Sequence, residues 1–288
     1  MSYKSDIRLY LIVPVYGNWN DTLDCLRMLG AQSDRDFRVI VADDGSPEPP
    51  PSSLGDFPFV EYLRNPHRGF AANCNAGARV ACSRGASHLL FLNNDTAFSS
   101  DFTQGWRRRI GEMPDAILSP MVYWFHKPDR VWYSGGRQSI WVPFVRLKRE
   151  YREVTPVDIL SGCVILVPSN HWRELGGFNE KFVTYYEDFD FALRAKKRGV
   201  RAYVTAEPEL RVLHKGSRSA AAAGVWPMQY RMLTSRFVFI REHYSGLRKY
   251  ACLGLGFAHL AATMLMTLPQ TPKPRLLWRS IADGLRIE

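Results

Sequence analysis

The 288-residue chain is poor in cysteine and has no C-x-x-C pair. Its five cysteines are Cys25, Cys74, Cys82, Cys163 and Cys252. An odd, unpaired set excludes a disulfide framework and a zinc knuckle, and it fits a reducing compartment. No G-x-G-x-x-G follows the first predicted strand, which disfavours a dinucleotide-binding dehydrogenase. No G-x-x-x-x-G-K-[ST] occurs, which removes a P-loop NTPase. Internal repeats are lacking, and low complexity is confined to "PEPPPSS" (47–53) and "SAAAAG" (219–224). The opening "MSYKSDIRLYLIVPVYGN" lacks a signal-peptide layout and reads as a first strand. Acid is the scarcer charge: 28 Asp and Glu stand against 38 Lys and Arg, a net +10. That balance suits an anionic partner: nucleic acid, an anionic membrane surface or a phosphorylated substrate. A merely basic surface would give the same total, and no nucleic-acid recognition motif accompanies it.

What is present is an ordinary globular composition, 46% hydrophobic and 23% charged. The length suffices for one large α/β domain or two smaller ones. "RLYLIVPV" (8–15) is an unbroken apolar run of strand length. "NDTLDCLRMLGAQ" (20–32) follows as a helix, with Asp21 a candidate N-cap, Leu23, Leu26 and Leu29 on one stripe, and Gly30 a stop. "FRVIVADDGS" (37–46) is a second strand, "GFAANCNAGARVACSRG" (69–85) a small-residue helix, and His88–Leu92 a third strand. Alternating elements with unbroken apolar strands predict a mostly parallel sheet covered on both faces. Ligands of such sheets sit beyond the carboxyl ends of the strands. Those ends are Pro14-Val15-Tyr16, Asp43-Asp44-Gly45-Ser46 and Asn93-Asn94-Asp95. One polar strand end is an ordinary turn; two acidic ends on one edge suggest a site. Without a glycine phosphate cradle, a diphosphate needs another source of positive charge. A divalent cation on a carboxylate, with Asp95 the first ligand, supplies it.

"DILSGCVILVPSNHWRELGGFNE" (158–180) reads as a strand, a short helix and a Gly-Gly turn. "FVTYYEDFDFALRAKKRGVRAYV" (182–204) puts Glu187, Asp188 and Asp190 just before or within the first turn of a helix. Capping and the helix dipole explain one or two acids there. Three acids interleaved with Tyr185, Tyr186, Phe189 and Phe191 also suit a carboxylate lifted toward useful basicity by desolvation. "LRVLHKGSRS" (210–219) ends a strand at His214, beside Lys215 and Arg218; a structural histidine and a metal or phosphate contact both fit.

Taken together, "LIVPVYGN", "VADDGS", "NPHRGFAANCNAG", "LLFLNNDT", "SGCVILV", "GGFNEKFVTYYEDFDFALR" and "VLHKGS" resemble glycosyltransferase family 2 with its GT-A fold. They cover roughly residues 8–219, and within the family the pattern is similar to bacterial rhamnosyltransferase-like enzymes. The resemblance implies an inverting, metal-dependent transferase of surface-polysaccharide synthesis. Its donor would be a nucleoside-diphosphate sugar, dTDP-rhamnose or a UDP-sugar, and its acceptor a glycan or lipid-linked glycan. It implies a nucleotide pocket of Pro14, Val15, Tyr16, Asp43, Asp44, Arg68, Gly69, Asn73, Asn93 and Asn94. Mg²⁺ or Mn²⁺ would rest on Asp95 and His214. The base would be Asp188, ahead of Glu187. Ser161, Gly162, Lys215 and Arg218 would face the diphosphate or acceptor. The family's D-x-D falls on Asn93-Asn94-Asp95, where Asn93 replaces the first acid and is the weaker ligand. That departure leaves a second expectation, a catalytically impaired nucleotide-sugar or glycan-binding protein on the same fold.

The expected organisation is a catalytic domain over 1–225, with a nucleotide half (1–100) and an acceptor half (101–225), and a helical extension over 226–288. "YRMLTSRFVFIREHY" (230–244) is a helix. "ACLGLGFAHLAATMLMTL" (251–268) is nearly all apolar and flanked by Arg248, Lys249, Lys273 and Arg275. A core or homodimer helix, an in-plane membrane contact and a true span are all open to it. A lipid-linked acceptor implies a cytoplasmic protein at the inner face of the plasma membrane.

Overall fold

A computed structural model of the chain describes residues 7–138, 145–147, 151, 154–216, 225–267, 279 and 282–284. Unbroken apolar runs form the centre of the sheet. In β1 (Leu9–Val15), β2 (Phe37–Asp43), β4 (His88–Leu92) and β12 (Val164–Pro168) nearly every side chain is buried. Both faces are covered, so inward and outward positions are equally apolar. The edge strand β3 (Val60–Arg64) is only half-buried, lacks that pattern, and is an addition to the predicted order.

The main sheet has eight strands. Its N-terminal half runs β4, β1, β2, β3, all parallel. Beyond β4 come β12, β6 (Ile117–Pro120), β13 (Ala202–Thr205) and β11 (Thr155–Val157). Here β12 is antiparallel to both neighbours, β6 and β13 are parallel, and β11 is antiparallel. The architecture is therefore the expected α/β one, with the parallel pairing concentrated in the first half. One face is packed by α1 (Trp19–Gly30) and α3 (Phe102–Glu112). The other is packed by α2 (Phe70–Ser83), α4 (Ser169–Leu175) and α5 (Glu187–Lys197). A four-stranded sheet stands beside it, in the order β5 (Thr96–Phe98), β14 (Val212–His214), β7 (Val122–Trp124), β8 (Lys127–Tyr133).

Helix α1 begins at Trp19 after Asn18, whose left-handed backbone (φ 52°) starts it. Asp21 is thus in the first turn and not the N-cap. Two helices close the described chain, α6 (Val225–His243) and α7 (Gly246–Thr267). The predicted apolar helix starts five residues early, at Gly246, so Arg248 and Lys249 lie inside it; residue 268, Lys273 and Arg275 fall outside the described residues. Phe182 and Leu193 share a core with Val238, Phe239, Ile240, Tyr244 and Cys252. No described helix is long and apolar enough to cross a membrane.

Candidate active site

Parallel β1, β2 and β4 end on one edge, and the residues after them gather there. Asp43 is fully buried. It accepts from the Ser46 amide (2.8 Å), the Tyr62 hydroxyl (2.7 Å) and the Arg64 guanidinium (3.2 Å). Asp44 accepts from the amides of Arg68 (2.8 Å) and Gly69 (3.0 Å) and lies 2.9 Å from His67 Nδ1. Both acids therefore shape the loops around the edge. Gly69 has φ +95°, and a Cβ there would collide with the Val183 carbonyl, so glycine is what lets this loop touch the segment before α5. Tyr16 stands half-exposed, stacked on His67 with ring centroids 4.3 Å apart. The Arg68 guanidinium donates to Glu180 (2.9 Å). Asn73 is buried, donating to the Ala42 carbonyl (2.6 Å) and accepting from Asn65 (2.8 Å). Pro14 and Val15 are buried backbone, with the Val15 carbonyl accepting the Asp44 amide (2.8 Å).

After β4 the three polar residues diverge. Asn94 donates to the Thr22 hydroxyl (2.9 Å) and ties the strand end to α1. Asp95 meets His214 because β14 runs antiparallel to β5 with His214 opposite Thr96. His214 Nε2 lies 3.1 Å from Asp95 Oδ1, both side chains are buried, and the Lys215 amide donates to the Asp95 carbonyl (2.9 Å). Trp132 covers the imidazole at 4.4 Å. Asn93 Oδ1 and His214 Nδ1 are buried without a hydrogen-bond partner. A carboxylate, an imidazole and an unmet amide oxygen are donor types that Mg²⁺ or Mn²⁺ accepts. Among the described residues no three His, Cys, Asp or Glu side chains converge, so such a cation would draw its remaining ligands from bound oxygens. Lys215 Nζ donates to Asp21 (2.6 Å). Burial opposes its charge, but Asp21 and Asp24 outweigh burial and raise its pKa. Arg218 lies outside the described residues.

The carboxylate pair arrives on a strained turn. Tyr185 and Tyr186 both have left-handed backbones (φ 69° and 71°). Such conformations cost about 1–3 kcal/mol each and persist only where packing enforces them. Here Tyr186 packs on Phe189 (5.4 Å) and on Phe239 of α6 (5.3 Å), and the Ser235 hydroxyl donates to the Thr184 carbonyl (2.8 Å). Glu187 is buried, and its Oε2 has no hydrogen-bond partner. Burial first, and the Asp188 charge second, push its pKa well above the carboxylate range. Asp188 keeps part of its surface open. Burial raises its pKa to about 6, while the Gly162 and Phe189 amides pull it back. Those amides donate to Asp188 Oδ2 (2.6 Å) and Oδ1 (2.8 Å) respectively. The two environments differ: burial raises both carboxyls, and Asp188 is the one that two neighbouring amides draw back toward its ionised form. That division suits a general base working near neutral pH.

Gly162 links both halves of the site. It precedes β12, whose Val164 pairs with Leu92 of β4, so it lies beside the end of the Asn93 strand. A Cβ on Gly162 would sit 3.2 Å from Asp188 Oδ2. The Ser161 hydroxyl accepts the Cys163 amide (3.2 Å). Cys163 lies between the two acid sites: after burial, Asp95 and then Asp188 raise its thiol pKa. Tyr133 is a participant that sequence reasoning missed. Its hydroxyl is buried without a partner, and burial, then Asp188, raises its pKa. The only signal was the aromatic pair in "VWYSGG", which nothing connected to Asp188. A separate cleft of about 690 Å³ lies between α2 and α4, lined by Asn75, Arg79, Trp172 and Arg173 among others. It holds neither the Glu187–Asp188 pair nor Asp95, and its Asn75 and Arg194 are engaged by internal hydrogen bonds.

The description "Glycosyl transferase family 2" matches residues 10–171. The chain is 31% identical over 261 residues to a Mycobacterium tuberculosis N-acetylglucosaminyl-diphospho-decaprenol L-rhamnosyltransferase, covering 77% of this chain and 80% of that one. Among solved structures it resembles S. aureus TarS 1-349 in complex with UDP-GlcNAc: TM-score 0.60, 15% identity, 97% of this chain and 81% of that one. It also resembles GalNAc-T7 with UDP, GalNAc and Mn²⁺: TM-score 0.59, 12% identity, 86% of this chain. The chain spans about half the length of GalNAc-T7, 54%. The fold is that of the GT-A glycosyltransferases. The chain belongs to glycosyl transferase family 2.

Proposed function

We propose that this glycosyltransferase is inverting and metal-dependent. It would move a sugar from a nucleoside-diphosphate donor, dTDP-rhamnose or a UDP-sugar, to a glycan or lipid-linked acceptor of a bacterial surface polysaccharide. The observation that carries this reading is the buried carboxylate pair beside Gly162, with Asp188 raised to about 6 and held by the Gly162 amide. A single displacement needs one base and no second carboxylate nucleophile. Asp188 takes the acceptor hydroxyl proton as that oxygen bonds to the anomeric carbon and the bond to the diphosphate breaks. The Gly162 amide keeps Asp188 oriented. Tyr16, with His67 behind it, offers a face for the nucleotide base, and the loops held by Asp43 and Asp44 border the ribose. Asp95, His214 and Asn93 would hold Mg²⁺ or Mn²⁺, which would neutralise charge on the leaving diphosphate. The rhamnosyltransferase relative supports the donor and acceptor classes. The unpaired cysteines support a cytoplasmic site of action.

Asn93 supports a second reading, a nucleotide-sugar-binding protein without turnover. One experiment separates the two. Donor hydrolysis and transfer are screened across nucleotide sugars with wild type and Asp188→Asn, alongside donor binding. Turnover that falls roughly a hundredfold or more in Asp188→Asn, with donor binding within a few fold, supports the base assignment. Binding without turnover in wild type supports the second reading.

A further inference from the structure

Helix α7 runs 22 residues without an aspartate or glutamate, and its formal charges are Arg248 and Lys249. Cys252 is fully buried, and a Cβ on Gly256 would touch the Phe237 ring at 3.5 Å, so this side of α7 rests on α6. At 3.6 residues per turn, positions 247, 250 and 254 fall on the opposite side. That side is apolar and open to water. Leu247 is 90% exposed and Tyr250 71%, while the Phe257 ring packs back on Phe237 of α6 (5.3 Å). Arg248 is exposed beside the stripe. Such a face needs a cover.

We propose that this face of α7 docks in the plane of an anionic lipid bilayer. Charge decides between occupants. A second copy brings a helix with only basic charges against another of the same kind. Anionic headgroups complement Arg248 and Lys249, while Leu247 and Tyr250 enter the acyl boundary. The contact proposed lies in the plane of the bilayer, along the side of α7. Because α7 rests on α6, and α6 holds the turn before Asp188, docking would carry the carboxylate pair at a set distance from the lipid surface.

The test uses the full chain, without sugar donor, so its outcome is independent of the transferase reading. Co-sedimentation is measured with phosphatidylglycerol/phosphatidylcholine vesicles and with phosphatidylcholine alone. Retention on the anionic vesicles alone, weakened by salt, is expected. Leu247→Asp/Tyr250→Asp should abolish retention at an unchanged melting temperature, since both side chains face outward. Arg248→Glu should weaken it by roughly tenfold or more. Three results would overturn the proposal: no retention by wild type, retention unchanged in the double variant, or a dimer in solution that the double variant breaks.

Discussion

At the scale of single residues, the site rests on small differences in surroundings. Glu187 and Asp188 are chain neighbours, yet only Asp188 receives two backbone amides. Gly162 supplies the more telling one. Gly162→Ala would press a methyl onto Asp188 Oδ2; we expect transfer to fall by an order of magnitude or more while donor binding persists, read as kcat against donor KM. Asp188 also leaves a mark on stability. Its folded pKa, about 6, lies above its ordinary 3.8. The folded state therefore holds the proton more tightly, and stability falls as pH rises from about 4 through 6. Asp188→Asn removes that penalty. Its melting temperature should exceed wild type at pH 7–8, by on the order of 1–3 kcal/mol of stability, and the gain should shrink to nothing near pH 4. An equal shift at both pH values would contradict the raised pKa. Asp188 itself was legible as a carboxylate among aromatics. Tyr133 was not, because no local pattern in the sequence tells that the Asp188 charge reaches it.

Among the elements, α6 contributes more than an appended helix would. The His243 imidazole Nε2 lies 2.8 Å from Asp190 Oδ1, both buried, and Arg194 holds the other Asp190 oxygen at 2.7 Å. Phe239 and Ser235 fix the tyrosine turn from the same helix. We expect His243→Ala to cost about 1–3 kcal/mol through the buried carboxylate it leaves short of a partner. It should also lower kcat with little change in donor KM, and His243→Gln should recover part of both. Loss of stability with an unchanged kcat would make α6 a mere buttress. The sequence revealed α6 as a helix but not as a brace, since Tyr186 and Phe239 meet only in the fold. By contrast β1, β2 and β4 were readable, because strands buried on both faces are unbroken apolar runs. β3, half-buried at the edge, carries no such run.

For the whole molecule, the topology brings distant segments to one edge. Asp95 and His214 become neighbours through the pairing of β5 with β14. Sequence alone suggested each as a ligand; their partnership came from resemblance, and the register supplies its physical basis. If the pair holds a cation, calorimetric titration of UDP or dTDP should show Mn²⁺-dependent binding that Asp95→Ala abolishes and His214→Ala weakens. Tight binding in chelator, indifferent to both variants, would remove the metal from the account. Everything at this edge converges on Asp188, raised to about 6 and held by the Gly162 amide. The pH profile of kcat/KM for transfer tests that most directly, because it reports the free enzyme's essential base. The account predicts a rate that rises about tenfold per pH unit up to an inflection near 6 and then levels, with no such inflection in the residual activity of Asp188→Asn. A flat profile from pH 5 to 8, with Asp188→Asn as active as wild type, would contradict it.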